Sequence, residues 1–480
     1  MKILLVGSGL SAYGACVAFL EKKKNHNFKI DVIDIGLKES SLTKKDYVVP
    51  NSKDFEGSYF PYGINDSNSS IKLDSKRICS SHAFGGYSKV YSGSILRPKN
   101  NELINWPKDS IPKSEDYEKI LSSLNFKPHK NEVSDFFLKD KLNYDYNLKN
   151  ISLLGNALIA FSKIIDNDGR KIKIPFDSSY KFLEWVKEGK IEYINDSYLT
   201  QIEVKKEFLI AYIKEKNKLI KKEYSKIFLG AGCVNTTAII DRSLFFKGSR
   251  DYFIQSSPSI LQLYFKCPLK KIKDESLNLK QKDYALCKYF LEHKSRLTSG
   301  YWTHTQIGPI NRIIINKLKK NLFKFLHTSI SHILKIFYFS TTVLHSEIGP
   351  KILLKSKINK DKKQIIKIIE KENNSKFTNS LAIKIAVLEK FMDLYLLPIP
   401  FSNFFANKLK GNKYGGWHYG GTLPFSSKNI GRPYCDPSGE VNGLRNVYVI
   451  DSSSFPTIPG STVALLTMAN AYRIGKSCLN

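Results

Sequence analysis

Residues 2–20 read KILLVGSGLSAYGACVAFL, and this stretch predicts both the fold and one half of a binding site. The short apolar run Lys2–Val6 is typical of a buried parallel strand. It passes into the glycine-containing turn Gly7–Ala12. Beyond the turn, the apolar residues at helical spacing are Ala12, Cys16, Phe19 and Leu20. A second apolar run, Lys29–Ile33, then ends at Asp34. The predicted order is therefore strand, turn, helix and strand.

This order, with glycines in the turn and an acid after the second strand, is the dinucleotide-binding pattern. The glycines allow a tight turn and let a pyrophosphate approach the helix N-terminus, while the strand-end carboxylate suits a pair of ribose hydroxyls. We therefore predict a nucleotide site at Gly7, Gly9 and Asp34. A glycine turn that holds no phosphate is the alternative. Because Asp34 would repel a 2′-phosphate, NADP is the least expected occupant.

The C-terminal stretch, residues 417–476, predicts the other half of the site. His418 stands beside Gly-Gly-Thr, where a backbone without Cβ atoms can approach a ligand closely. An apolar strand over 446–450 ends at Asp451. After a Pro/Gly turn, Ser461 and Thr462 open a long apolar helix, whose first N–H groups can face an anion or an electron-rich ring. A base, a carboxylate and a helix N-terminus are thus expected to converge.

Composition limits the function classes. The chain has 480 residues and a net charge of +31, with 75 Lys plus Arg against 44 acids. This charge fits either an acidic partner or a general lysine bias on exposed faces, and the abundance of Lys, Asn and Ile favours the second. No Arg/Gly or aromatic-basic repeat indicates nucleic acid. Seven cysteines without a CxxC pair indicate a reducing compartment and neither a disulfide framework nor a metal site.

Three features of the sequence bear on location. Met1 leads directly into the first strand, which leaves no room for a cleavable signal peptide. No apolar run reaches 18 residues without a charge, so we expect no membrane span and a cytoplasmic protein. Between 315 and 337, apolar residues share one face of a predicted helix that also carries lysines. Such a helix can lie peripherally on a membrane, although packing on its own domain is the commoner arrangement.

The middle of the chain completes the predicted architecture. Residues 83–93 form a glycine-rich loop, 191–226 a strand meander, and 227–232 a strand that runs into Gly232 before a helix. Alternating segments at 259–266 and 303–315 predict a second sheet. The fold class expected is α/β (α+β), with a Rossmann-like domain built from discontinuous segments and a substrate domain containing an antiparallel sheet and helices.

Taken together, the N-terminal pattern, the loop GGYSKVYSG (85–93), the strand IFLGAG (227–232) and the C-terminal stretch resemble the glucose–methanol–choline (GMC) flavoprotein oxidoreductases. Arg97-Pro98 and Trp106-Pro107 extend the resemblance, and only about 250–410 is unmatched. The resemblance implies an FAD-binding domain and a substrate-binding domain. Their expected segments are 1–110, 186–255 and 411–480 for the first, and 111–185 and 256–410 for the second.

The resemblance also implies FAD as the cofactor. Val90 occupies a position where some relatives attach FAD through histidine, so the flavin is expected to be non-covalent. The implied cofactor-binding residues are Gly7, Gly9, Ser11, Asp34, Gly86, Ser88, Tyr91, Gly232, Asp451, Thr462 and Val463.

The resemblance gives His418 the role of general base in the oxidation of a CH–OH group in a sugar, polyol or other alcohol. Imidazole titrates near neutral pH, as such a base must. A core histidine bonded to backbone is the alternative for His418. Thr462 stands where the family usually has Asn or a second His, which leaves the positioning of the substrate hydroxyl open. The alternatives for the whole protein are an NAD-linked dehydrogenase and a catalytically silent flavin-binding or membrane-surface protein. The electron acceptor is not encoded in any readable motif.

Overall fold

The structure is a computed structural model. The residues that it describes are 1–24, 26–36, 71–74, 81, 83–89, 91, 93–126, 151–156, 158–165, 171–215, 218–245, 247–266, 289–294, 298–309, 337–349, 352–360, 363–370, 396–398 and 418–479.

Helices and strands are numbered along the described chain. The helices are α1 (Leu10–Lys23), α2 (Ser114–Ser123), α3 (Ser178–Lys187), α4 (Cys233–Leu244) and α5 (Val463–Cys478). The first eleven strands are β1 (Lys2–Val6), β2 (Lys29–Ile33), β3 (Ile71–Asp74), β4 (Ile151–Asn156), β5 (Phe161–Ile165), β6 (Lys171–Pro175), β7 (Glu192–Ile194), β8 (Ser197–Val204), β9 (Leu209–Glu215), β10 (Lys218–Tyr224) and β11 (Lys226–Leu229). The remaining strands are β12 (Gly248–Ser257), β13 (Ser259–Lys266), β14 (Tyr289–Lys294), β15 (Trp302–Pro309), β16 (Phe337–Val343), β17 (Ile352–Ile358), β18 (Gln364–Glu370), β19 (Leu396–Pro398), β20 (His418–Gly420), β21 (Glu440–Val441) and β22 (Leu444–Val449).

A six-stranded sheet with the order β21-β22-β11-β1-β2-β7 forms the centre of the molecule. All its neighbouring pairs are parallel except β21–β22. Four of its strands are almost continuously apolar and buried, as a sheet covered on both faces requires. Parallel strands end at one edge, so the turns after β1, β2, β11 and β22 lie along the same edge. A mixed α/β fold is thereby confirmed.

Helices α1 and α5 join the two ends of the chain on one face of this sheet. They approach so closely that a Cβ on Gly14 would lie 2.2 Å from the backbone oxygen of Met468. A Cβ on Gly475 would likewise lie 3.1 Å from the Cβ of Ala18. Glycine and alanine at these positions therefore permit a backbone contact that larger side chains would prevent. Phe19, fully buried beneath, stacks obliquely on Phe228 of β11.

Two mostly antiparallel sheets adjoin the central one. Their orders are β20-β12-β17-β18-β3 and β19-β13-β16-β15-β14-β4. Pro258 alone separates β12 from β13, so one nearly continuous segment takes part in both sheets. The predicted second sheet is observed, and the predicted meander forms a three-stranded antiparallel sheet of β8, β9 and β10.

Two predicted helices are not observed as predicted within the described residues. The amphipathic helix expected over 315–337 lies outside the described residues apart from Phe337, which begins β16. The sequence also predicts a helix from Leu381 to Leu397, stopped by Pro398 and Pro400. This prediction is wrong at its end, because Leu396–Pro398 pairs as a strand with β13, while 381–395 lies outside the described residues. Among the described residues, no helix has the length and apolar character needed to cross a bilayer. The four described cysteines are buried free thiols.

Asp241 of α4 connects the central sheet's helical layer to the sheet that contains β12. The carboxylate is fully buried and accepts hydrogen bonds from the Tyr252 hydroxyl at 2.7 Å and the Ser356 hydroxyl at 2.7 Å. The amide of Gln364 donates at 3.0 Å, and the Arg250 guanidinium binds both carboxylate oxygens. Strands β12, β17 and β18 each supply a donor, so this one carboxylate holds three strands against α4.

We expect Asp241→Ala to lower the free energy of unfolding by about 3 kcal/mol, because it leaves a partly buried guanidinium without its counter-charge. Urea unfolding followed by circular dichroism measures the change. Asp251→Ala is the matched control, because Asp251 is half-exposed and its ion pair with Lys355 is long, at 3.9 Å. Such an exposed pair contributes little to stability. Equal midpoints for the two variants would contradict the role given to Asp241.

Candidate active site

The glycine turn after β1 is held against the turn after β11. Gly7 has a φ of +100°, and a Cβ there would lie 2.5 Å from the oxygen of Gly230. Gly230 is equally confined, because its own Cβ would lie 2.9 Å from the Ser11 hydroxyl. Gly86, with φ +57°, comes so close that a Cβ would lie 3.4 Å from the Cα of Gly9. The predicted residues Gly7, Gly9, Ser11 and Gly86 are thus brought together at one edge of the sheet, where Gly7, Gly9 and Gly86 form a glycine cluster.

The carboxyl group that ends β2 is anchored by its neighbours. Asp34 accepts hydrogen bonds from the Ser8 hydroxyl and, at 2.7 Å, from the Gly36 amide. Burial raises the pKa of Asp34 to about 6, while the hydrogen bond from Ser8 opposes that rise. Ser8 also accepts from the Gly85 amide at 2.8 Å. Ser8, which no local sequence rule singles out, therefore connects the glycine-rich loop to the strand-end acid.

A second polar network holds the glycine-rich loop from α3. The buried Ser88 hydroxyl donates to the Gly85 oxygen at 2.6 Å and lies 2.9 Å from the Ser178 hydroxyl. Lys89 pairs with Asp177 at 2.9 Å, and both side chains are almost fully buried. Asp177 also caps α3 through the Ser179 amide. The predicted residue Ser88 is thus bonded to the protein, and Lys89, Asp177 and Ser178 are contributors that no motif indicated.

The Tyr91 hydroxyl is buried and has no hydrogen-bond partner among the described residues. Its pKa is raised by burial and further by the nearby Asp177. A buried donor of this kind ordinarily finds a partner in protein or ligand. Tyr91 therefore leaves a hydrogen bond available to a bound group.

The strand-end acid of β22 is committed to the protein. Asp451 is buried and accepts hydrogen bonds from the Gly232 amide at 2.8 Å, the Ser453 amide at 2.9 Å and the hydroxyls of Thr236 and Ser453. Burial raises its pKa, and these donors oppose that rise. Gly232 has a φ of +83° and open space where a Cβ would stand. Asp451 thus fixes the turn before α4, and its contact with a cofactor stays a prediction.

Three helices begin at this edge without a side-chain cap. The N-cap residues of α1, α4 and α5 are Gly9, Gly232 and Thr462, and none of their side chains accepts from its own helix. The first N–H groups of each helix are thereby available to other acceptors. With the partial positive charge of a helix N-terminus, such groups favour anions.

His418 and the start of α5 are connected through β12. His418 lies in β20 opposite Ser257, the last residue of β12. The buried Ser257 hydroxyl is placed to donate to two backbone oxygens, that of Ile458 at 3.3 Å and that of Pro459 at 3.2 Å. These two residues belong to the turn that leads into Thr462. The strand that begins at the half-buried His418 and the turn that leads into α5 are therefore joined through Ser257, and the role of His418 stays a prediction.

Thr462 is buried, and its hydroxyl oxygen accepts from the Leu96 amide at 3.1 Å. That acceptor role leaves its hydroxyl hydrogen able to donate elsewhere. Val463, half-buried, is the first residue of α5. Leu96 lies just beyond the glycine-rich loop, so the loop and α5 are joined by a direct hydrogen bond.

A pair of tyrosines links the loop to the histidine strand. The hydroxyls of Tyr87 and Tyr419 are 3.2 Å apart. Nearby, the Ser452 hydroxyl donates to the backbone oxygen of Tyr419 at 2.7 Å. A Cβ on Gly420 would lie 1.9 Å from the backbone oxygen of Ser452. Gly420 is therefore required for close packing of β20 on the turn after β22.

The comparisons with known proteins bear on the family resemblance and on the fold. A family model described as GMC oxidoreductase matches residues 393–471. No curated protein matches the chain. Among solved structures, the crystal structure of pyridoxine 4-oxidase from "Mesorbium loti" aligns with a TM-score of 0.60 and 12% sequence identity, over 99% of this chain and 98% of that one. At this identity the alignment speaks for the fold. The resemblance to the GMC oxidoreductases is therefore confirmed, with residues 393–471 matching the family's model.

Proposed function

We propose that the protein is an FAD-dependent oxidoreductase that oxidises a CH–OH group, with His418 as the general base. The observation that carries the proposal is the link from His418 through Ser257 to the turn before Thr462. It joins the strand that carries His418 to the turn that opens α5, whose N-terminus has no side-chain cap. The match of residues 393–471 to the GMC oxidoreductase model supports the same reaction class.

The residues present fit a bound flavin nucleotide. The glycine cluster and the uncapped start of α1 can accept a pyrophosphate, and Asp34 can accept ribose hydroxyls. The buried Tyr91 hydroxyl has a hydrogen bond to offer, and Ser88 keeps the loop in place. Thr462 and Val463 would lie at the pyrimidine edge of the ring. Because position 90 is valine rather than a histidine that could bond to FAD, the flavin is bound non-covalently in this proposal.

Oxidation of an alcohol removes a proton from its oxygen and a hydride from its carbon. The flavin, when bound, supplies the hydride-accepting chemistry. His418 takes the hydroxyl proton, because imidazole is neutral and basic near pH 7. Thr462 can donate its hydroxyl hydrogen to the substrate oxygen, but it carries no charge to share with His418. The uncapped N-terminus of α5 can stabilise negative charge that develops during the reaction.

The substrate in this proposal is a sugar, polyol or other small alcohol. The structurally similar protein is pyridoxine 4-oxidase, so pyridoxine, itself a primary alcohol, is included among the substrates to be tested. Oxygen, quinone and protein acceptors would be compared in the same assay. The protein is proposed to act without nucleic acid. A peripheral membrane contact through 315–337 is a secondary proposal, tested by sedimentation with anionic liposomes.

The purified protein is expected to be yellow, with a flavin absorption spectrum, or to bind added FAD. Acid precipitation should release all the FAD, since no covalent bond holds it. Colourless protein that refuses FAD would contradict the proposal. Quenching of NADH fluorescence by such a protein would favour an NAD-linked dehydrogenase instead.

His418→Ala is expected to slow anaerobic flavin reduction by the best alcohol at least about 100-fold, because a general base contributes roughly that factor. Stopped-flow absorbance measures the reduction rate. FAD content should be unchanged, since the variant leaves the glycine cluster intact. His26→Ala, an exposed histidine, is the matched control. An unaltered reduction rate in His418→Ala would assign the base elsewhere, and a wild-type protein that no alcohol reduces would favour a silent flavin-binding protein.

A further inference from the structure

Glu102 is a buried carboxyl group that the proposed reaction does not use. The residue is only 1% exposed to solvent. Oε2 accepts a hydrogen bond from the Lys99 amide at 2.8 Å, whereas Oε1 has no partner of ordinary geometry among the described residues. A buried carboxyl oxygen without a donor is costly when charged. Its protonation state is therefore sensitive to nearby charges.

The carboxyl group faces the turn that begins α5. The amides of Gly460 and Ser461 lie near enough to favour its charged form and so to lower its pKa. The Ser461 hydroxyl is itself buried and has no partner within the described chain. Gly460 packs closely on the chain at Trp302, because a Cβ there would lie 2.2 Å from the Trp302 backbone oxygen. Glu102 and the residue before Thr462 are thus packed together with unused hydrogen-bonding capacity on both sides.

The titratable groups around Glu102 come from its own segment, from β14 and from the segment 345–347. Glu292 of β14 pairs with the Lys99 ammonium at 3.3 Å and raises the pKa of Glu102. His345 lies 2.8 Å from the Glu102 backbone oxygen through Nε2 and accepts from the Glu347 amide through Nδ1. That pattern places the proton on Nε2 and makes the ring neutral. Burial lowers the pKa of His345, which keeps it so.

Burial is the main cause that raises the pKa of Glu102, to about 7. The carboxyl therefore changes charge within the physiological range. Its segment also supplies the Leu96 amide that binds Thr462, so one stretch of chain contacts both the turn and the first cap position of α5. A charge on Glu102 acts on the helix end where the proposed function places the flavin ring.

We propose that Glu102 is a positioning residue whose proton occupancy is linked to reduction of the flavin through the 460–462 turn. This inference rests on the proposed function. Reduction places negative charge near the start of α5, and Glu102 relieves it by taking a proton from solvent. The donor alcohol supplies the two electrons as a hydride from carbon, its hydroxyl proton goes to His418, and the proton on Glu102 is additional to both.

The test is the midpoint potential of the holoenzyme as a function of pH, measured by spectroelectrochemistry for wild type and Glu102→Gln. Where Glu102 takes up a proton, from about pH 7 upward, each unit of falling pH should favour reduction by up to an additional tenfold. For a two-electron couple this is about 30 mV per unit. Glu102→Gln should lack this additional slope and be easier to reduce at pH 8. Glu118→Gln, the same change at an exposed residue of α2, should follow wild type.

Parallel potentials for wild type and Glu102→Gln across pH 6–9 would overturn the linkage and leave the proposed function intact. A protein that binds no flavin would overturn both. If Glu102→Gln does not fold, photoreduction of the His418→Ala holoenzyme in weak buffer decides, because that variant lacks the competing imidazole. A pH-indicator dye should record more proton uptake at pH 8, where Glu102 starts ionised, than at pH 6. Equal uptake at the two pH values would overturn the proposal.

Discussion

The close backbone contact between α1 and α5 is the constraint on which the rest of the structure depends. Where Gly14 meets the backbone of Met468, the first and last helices of the described residues lie against each other. Their N-termini, at Gly9 and Thr462, consequently open on the same edge of the central sheet. Every proposed role at this edge requires that arrangement, because the glycine cluster comes from one end of the chain and His418 from the other.

Around that contact, the site is supported by residues that bind protein rather than ligand. Asp451 fixes the turn before α4, Ser257 fixes the turn before α5, and Ser8 fixes the glycine-rich loop. Residues that approach a reacting group are held in place by such supporting hydrogen bonds, which set their positions to a fraction of an ångström. In this molecule the supports are mainly small hydroxyl side chains, since these fit into closely packed turns.

The sequence indicated those parts of the site that local rules govern. Gly7, Asp34 and Thr462 stand at the junctions of strands, turns and helices, where glycine, an acid or a small polar residue has a local physical purpose. Ser257 and Glu102 carry no such signal, because their importance arises from contacts with residues 80 or more positions away. Asp177 has the local role of a helix cap, but its contact with Ser88 is equally distant in sequence. Asp241 was missed for the same reason. Strand pairing of Leu396–Pro398 likewise depends on β13, which overrides the helical pattern before it.

The pairing of β1 with β11, and of β11 with β22, has a consequence for synthesis on the ribosome. The βαβ unit of β1, α1 and β2 emerges long before α5, the helix that packs on α1. At roughly 5–20 residues per second, the apolar face of α1 waits on the order of 20–90 s for α5. During that time the nascent chain exposes surface that chaperones bind. The contact between α1 and α5 can form only after α5 leaves the exit tunnel, so a chain that terminates before α5 lacks it altogether.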